Sequence, residues 1–191
     1  LSDLILSKGM IPSYFIDMMN EPNRIQKFKN AIDNTISENS NVLEIGAGTG
    51  IMSCLASKRV GKNKKVYCYE VNPVLADVSR NVVKNNDCNV EVIEKISVDG
   101  SSEEINGRKD ILICETIGNY LIEENMLTII NHAHDTFLTE NATVLPKSGK
   151  IFGYLSCLPQ QNNEFLASNS SFENIDISYF KKVIDESHLI T

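Results

Sequence analysis

Three alternate glycines, Gly46, Gly48 and Gly50, lie in the stretch NVLEIGAGTGIMSCLA (residues 41–56), between a strand-like VLEI and a helical pattern. Such a turn lets the backbone pass close to a bound ligand. A dinucleotide-binding fingerprint carries its third glycine three positions after the second. Here that position is Ile51, and no phosphate-loop lysine follows. The GxGxG spacing points instead to S-adenosyl-L-methionine, whose ribose and amino-acid portions bring no pyrophosphate for a helix N-terminus to receive. Glu70 closes the next strand-like run, twenty positions after Gly50. There a carboxylate can accept hydrogen bonds from both ribose hydroxyls and tolerate a sulfonium charge nearby. Hydride transfer with a dinucleotide is the weaker alternative.

A second set of carboxylates follows the fourth strand-like run, in CETIGNYLIEENML. Glu115 and Glu124 stand nine positions apart, with Gly118 between them to let the loop turn back. Glu123 competes with Glu124, separated from it only by that spacing. In an open α/β sheet, ligands bind beyond the carboxyl ends of the strands, so this loop should face the reacting group. The Asn-Pro-Pro-aromatic or Asp-Pro-Pro-aromatic turn expected of an enzyme methylating nucleobase amines is absent, and no acidic cluster suited to a metal is evident. His132 and His134 are two apart and point to different helix faces, so neither is expected to be catalytic; His188 lies in the least interpretable segment.

These residues need a scaffold. From Asn41 onward, strand-like runs (Val42 to Gly46, Lys65 to Glu70, Val90 to Lys95, Ile111 to Cys114, and a longer one from Ala142 to Cys157) alternate with helical patterns. The helical stretches are Thr49 to Lys58, Pro73 to Asn86 and Glu123 to Phe137. Alternation of this kind predicts a Rossmann-like, doubly wound α/β fold with a mainly parallel sheet. Ahead of it, Ser13 to Ser37 reads as helical with a break around Asn20-Glu21-Pro22, since proline suits a first turn and not a helix interior. The expected organisation is an N-terminal helical cover (residues 1–38), the α/β domain (39–157) and a short C-terminal extension (158–191), with Tyr179 to Glu186 as a last short helix.

A chain of 191 residues with 42% hydrophobic content can bury a sizeable core. No run approaches the roughly 20 apolar residues of a membrane span, and no signal peptide is apparent, so the expected address is cytoplasmic, away from membranes. A net charge of −7 argues against a broad nucleic-acid surface and favours a cationic substrate. The five cysteines (Cys54, Cys68, Cys88, Cys114 and Cys157) show no zinc or dithiol spacing and read as reduced, mostly buried thiols.

Taken together, the glutamate pair, Met126 beside it, the downstream NHAHDTFLTENATVLP and the upstream DMMNEPNRIQKFKNAI resemble the protein arginine N-methyltransferase family, over roughly residues 17 to 154. The resemblance implies an S-adenosylmethionine-dependent class I methyltransferase in which Glu115 and Glu124 form a double-glutamate loop around the target arginine. It also implies that Arg24 pairs with the cofactor carboxylate. Met18 and Met126 would line the sulfonium and target nitrogen, and Ile96 and Ser97 would sit at the adenine. Glu44 and Ala47 in the turn, and Val71 after Glu70, complete the implied cofactor contacts. The physics of such a loop is simple: a guanidinium stays protonated and offers a planar fork of donors, which two carboxylates can grip in bidentate fashion. That grip would aim one nitrogen at the methyl group and localise its lone pair. The implied partner is a protein or peptide arginine, or a small guanidine, and the family commonly forms homodimers. Alternatives are a methyltransferase of another small molecule or side chain, and an inactive cofactor-binding module. The family's paired tyrosines would fall near Ile5 and Gly9, neither of which is Tyr, and its β-barrel, with a Thr-His-Trp loop, has no counterpart in a chain without Trp. Beginning with Leu1 and ending at Thr191, the chain is therefore expected to be a fragment, or to carry a shorter element in place of the barrel.

Overall fold

A computed structural model describes residue 11, residues 18–118 and 125–153, and the backbone of residues 171–172 and 175–176. The chain forms two compact units, residues 1–151 and 152–191. In the second unit, Ser171–Phe172 and Ile175–Asp176 pair as a two-stranded antiparallel ribbon. The expected helix at Tyr179 to Glu186 lies outside the described residues.

The first unit opens with α1 (Pro22–Thr35), whose proline sits in the first turn, where its missing N–H costs no hydrogen bond. Then follow β1 (Val42–Ile45), α2 (Ile51–Ser57), β2 (Val66–Glu70), α3 (Pro73–Asn85), β3 (Val90–Glu94), a 3₁₀ turn (Ser97–Asp99), β4 (Lys109–Cys114), α4 (Met126–Thr136) and β5 (Leu138–Leu145). The five strands form one sheet in the order β3-β2-β1-β4-β5, with every pair parallel. β1 and β2 are buried along their whole length, as expected for central parallel strands covered on both faces. β3, at one edge, is half exposed.

Side-chain alternation divides the core in two. Val42, Ile111 and Ile113 face α1 and α2 and pack with Ile32, Ile36, Met52 and Ala56. Leu43, Leu112 and Cys114 face the other way and pack with Tyr69, Ile105, Ala133 and Phe137. Glu44 occupies the α2-facing row of β1, where periodicity would place an apolar residue. α3 is started by Asn72, whose side-chain oxygen accepts the amides of Val74 at 3.0 Å and Leu75 at 3.2 Å, ahead of Pro73. Cys54, Cys68 and Cys114 are buried and Cys88 is half-buried, all four as free thiols; Cys157 lies outside the described residues. Among the described residues, no helix is long and apolar enough to cross a membrane.

The fifth strand departs from expectation. It begins at Leu138, not Ala142, because α4 ends at Thr136 and the buried Phe137 turns the chain directly into the sheet, Leu138 pairing with Lys109. A register shift between Lys109 and Ile111 takes up the misfit, and the strand ends at Leu145, before Pro146, which has no N–H to donate.

Phe137 is fully buried, stacks on Tyr69 with ring centroids 5.5 Å apart and meets the edge of His132 at 5.1 Å. Phe137→Ala should cost about 3–5 kcal/mol in urea unfolding, and Phe137→Leu less than half of that, since leucine refills most of the volume.

Candidate functional site

β1 and β4 are neighbours, yet the chain leaves them towards opposite edges of the sheet, so a crevice opens beyond their carboxyl ends. Register pairs Ile45 with Cys114, which brings Gly46 and Glu115, the next residue on each strand, to the two sides of that crevice. The glycine turn forms one wall. Gly46 has φ +81°, and a Cβ there would lie 3.0 Å from the Thr116 methyl; Gly50 has φ +79°, and a Cβ would lie 2.4 Å from the Ser79 hydroxyl. Both positions combine a left-handed backbone with a close neighbour, which only glycine satisfies. The amides of Gly46 and Ala47 donate to the Tyr69 carbonyl at 3.0 and 3.1 Å, tying the turn to the end of β2.

Glu70, 5% exposed, completes that tie. One carboxylate oxygen accepts the Gly48 amide at 2.7 Å and the other accepts the Asn72 amide at 2.8 Å. Burial raises its proton affinity and these amides lower it, with burial prevailing. With the Val71 amide as a further donor, the carboxylate still keeps acceptor capacity for a ligand hydroxyl. Glu44, 3% exposed, accepts a hydrogen bond from the Ser53 hydroxyl of α2, and burial pushes its carboxyl up to about 8, with Glu70 and Glu115 adding to the rise. Glu115 is partly buried and pairs with the Arg24 guanidinium of α1, which also lies 5.5 Å from the centre of the Phe28 ring one turn on. Burial raises Glu115 and Arg24 pulls it down, burial again prevailing.

These groups line a cleft of about 150 Å³ together with apolar side chains, among them Met18, Met52, Val71 and Leu75. Of the residues singled out in the sequence, Met18, Arg24, Glu44, Gly46, Ala47, Gly48, Glu70, Val71 and Glu115 all border it. Gly50 stands behind the turn, packed on α3. Ile96 is 45% exposed and Ser97 buried, just after β3; Met126 opens α4; none of the three is among the lining residues. Glu124, like Glu123, lies outside the described residues. Thr49, Thr116 and Ile117 also line the cleft without having been singled out, although each is next to or near a residue that was, and so does Ile51, named in the sequence only for breaking the dinucleotide spacing. Met19, reached by the Thr49 hydroxyl at 3.5 Å, is a further addition from the N-terminal segment. Among the described residues, no cluster of His, Cys, Asp and Glu could hold a metal ion.

A ligand matching this lining would carry a diol for Glu70, an anionic group for Arg24, positive charge for the carboxylates, and an apolar ring. S-adenosylmethionine has all four.

Between about pH 4.5 and about 8 the folded chain holds a Glu44 proton that the unfolded chain has released. The folded state binds more protons there, so stability falls as pH rises across this window and levels off above it. In urea unfolding at about pH 5.5 and about pH 8.5, the wild type should lose about 2–4 kcal/mol more than Glu44→Gln, which has no proton to yield. An equal loss in both would assign the slope to another group.

Comparisons agree with this geometry. The ribosomal protein L11 methyltransferase (PrmA) family profile matches residues 29–143, spanning α1 to β5. Protein arginine N-methyltransferase 1.6 of Arabidopsis thaliana is 33% identical over 138 residues, covering 69% of this chain and 19% of that protein. Arginine N(omega)-methyltransferase of Streptomyces achromogenes subsp. streptozoticus is 26% identical over 189 residues, covering 96% of this chain and 50% of that protein. The crystal structure of Arabidopsis thaliana protein arginine methyltransferase 10 superposes with a TM-score of 0.62 at 29% identity, over 71% of this chain and 38% of that one. The chain thus spans half or less of the length of these relatives. The chain belongs to the protein arginine N-methyltransferase family of S-adenosylmethionine-dependent class I methyltransferases.

Proposed function

We propose that this chain catalyses methyl transfer from S-adenosylmethionine to a guanidinium nitrogen of arginine. One observation carries the reading: Glu115, at the switch point of the sheet, already holds a guanidinium, that of Arg24. A half-buried carboxylate that grips one planar fork of donors has the shape and charge to grip another.

When bound, the cofactor supplies an electrophilic methyl group on a positively charged sulfur. The chain's own residues do the rest. Glu70, whose two oxygens accept the Gly48 and Asn72 amides, takes the ribose hydroxyls. Arg24 takes the carboxylate, Met18 lines the reacting centre and Val71 borders the adenine; the family resemblance assigns Met126 to the reacting centre and Ile96 and Ser97 to the adenine, although these three do not line the cleft. Glu44, Gly46, Ala47 and Gly48 form the floor, with Gly50 behind the turn. Glu115 and Glu124 hold the incoming guanidinium from two sides, fixing one nitrogen and concentrating its lone pair. The nitrogen that gains the methyl gives up a proton, and Glu115, whose burial raises its proton affinity, can receive it.

The arginine is offered within a protein or peptide, as the family name implies, or free; the second reading is favoured by the likeness over 96% of this chain to an enzyme named for arginine alone. Assays with labelled cofactor should compare an arginine-containing peptide, its lysine counterpart and free arginine. Transfer to the first or third, and not to the lysine peptide, is expected. Glu115→Gln and Glu124→Gln should each lower kcat by roughly two to four orders of magnitude, as expected when about 3–5 kcal/mol of charge pairing is lost in the transition state. Full transfer by both variants would overturn the two-carboxylate mechanism.

A further inference from the structure

We infer that Cys54 and Cys88 form a redox-active pair, away from the cleft, that a hydroperoxide closes to a disulfide and a thiol reductant reopens. In sequence they stand 34 positions apart, far from any dithiol spacing. In the fold they meet. Cys54 lies in α2, and Cys88 lies in the connection between α3 and β3. The Cys88 sulfur is 3.8 Å from the Cys54 carbonyl, and the two thiols are within hydrogen-bonding reach of each other. Backbone bonds hold this meeting in place. The Cys88 amide donates to the Val83 carbonyl of α3 at 3.1 Å. The next residue, Asn89, donates its amide to the Ser57 hydroxyl of α2 at 2.9 Å and its side-chain NH₂ to the Lys64 carbonyl at 2.9 Å, while its own carbonyl accepts the Val66 amide at 3.0 Å. The connection is thus fastened to α3, to α2 and to the start of β2, and the approach of the sulfurs is built into the backbone.

Exposure gives the two sulfurs different parts. Cys88 is half-buried and open to a small oxidant, whereas Cys54 is 6% exposed. Burial, and then the neighbouring Cys88 thiol, push the Cys54 thiol up, so it keeps its proton until it reacts. Cys88 is therefore oxidised first. Its sulfur attacks one peroxide oxygen, the O–O bond breaks, and Cys88 becomes a sulfenic acid as the first water leaves. The Cys54 sulfur then attacks the Cys88 sulfur: the S–S bond forms, the S–O bond breaks, and the departing hydroxide takes the Cys54 proton and leaves as the second water. Two thiols lose two electrons, and hydrogen peroxide takes them up. Cys68 and Cys114, at 0% and 3% exposure, are shielded from such an oxidant.

Closure ties residues 54 to 88 into a ring that contains β2, Glu70 and α3. Neither cysteine lines the cleft, so the ring braces the segment that carries Glu70 without entering the space of a ligand. Such a cross-link stabilises chiefly by restricting the unfolded chain. In a reducing setting the pair rests as two thiols and closes only when oxidant outruns reductant. The competing explanation is that the sulfurs pack as small apolar groups and exchange no electrons.

To separate the two, the reduced chain is treated with equimolar hydrogen peroxide, remaining thiols are blocked with N-ethylmaleimide in denaturant, and unreduced peptides are weighed by mass spectrometry. The expected product joins the Cys54 and Cys88 peptides, is two hydrogens lighter than their sum and is lost on treatment with dithiothreitol. The oxidised chain should melt about 5–10 °C above the reduced one, a shift that dithiothreitol reverses and Cys88→Ser does not show. Cys54→Ala leaves Cys88 without a resolving partner, so dimedone, which captures sulfenic acids, should label Cys88 in that variant and not in the wild type. Cys88 joined to a second chain, dimedone on wild-type Cys88 with N-ethylmaleimide on Cys54, or both thiols unchanged under a large excess of peroxide would each overturn the pair. A cross-linked chain that melts no higher than the reduced one would overturn the brace.

Discussion

Everything at the site depends on two adjacent parallel strands whose continuations diverge. β1 runs on into the glycine turn and leads outward to β2 and β3, while β4 runs on into Glu115 and leads to α4 and β5 at the opposite edge. Because the pair is in register at Ile45 and Cys114, the first residue past each strand lands on opposite walls of one crevice. The Gly46 backbone approaches Thr116 so closely that no side chain fits between the walls at their base. Sheet hydrogen bonding therefore fixes the separation of the walls more firmly than any contact within the cleft, which matters for a reaction that works by positioning.

On that scaffold the electrostatics are deliberately incomplete. Buried carboxylates normally have partners, since an isolated charge in a low-dielectric setting is costly. Here Glu70 is met by backbone amides, Glu44 by a single hydroxyl and a retained proton, and Glu115 by a cation borrowed from α1. Each solution is provisional in its own way, and each leaves acceptor capacity directed at the cleft. A cationic ligand improves all of them together, which is the physical meaning of a site whose net demand is for positive charge.

Much of this could be read from the sequence. The glycine spacing and Ile51 located the turn; the strand-end position of Glu70 and the place of Glu115 after the fourth strand located two carboxylates, because both follow from the one-dimensional logic of strand, turn and helix. Other features arise only in three dimensions. Arg24 was singled out as a cofactor contact, but its pairing with Glu115 spans 91 positions and is fixed by how α1 packs on α2, which periodicity does not encode. Glu44 is named from the sequence as a cofactor contact, but its bond to Ser53, opposite it on α2, appears only in the fold. The start of β5 was misplaced because TENATV alternates without a clear apolar face, while the decisive residue, Phe137, belongs by periodicity to the preceding helix.

The Glu70 carboxylate carries a constraint that its proposed role as a sugar acceptor would not suggest. Its two oxygens receive amides from different segments, Gly48 in the turn before α2 and Asn72 at the head of α3. A glutamine of the same shape would have to aim its NH₂ at one of those N–H groups, donor against donor. The position is thus a knot joining two loops, and a change of its side chain loosens the rim of the pocket whatever ligand the cleft takes. In the proposed reading, selectivity for the nucleoside is in this sense locked by the architecture and not only by the ligand.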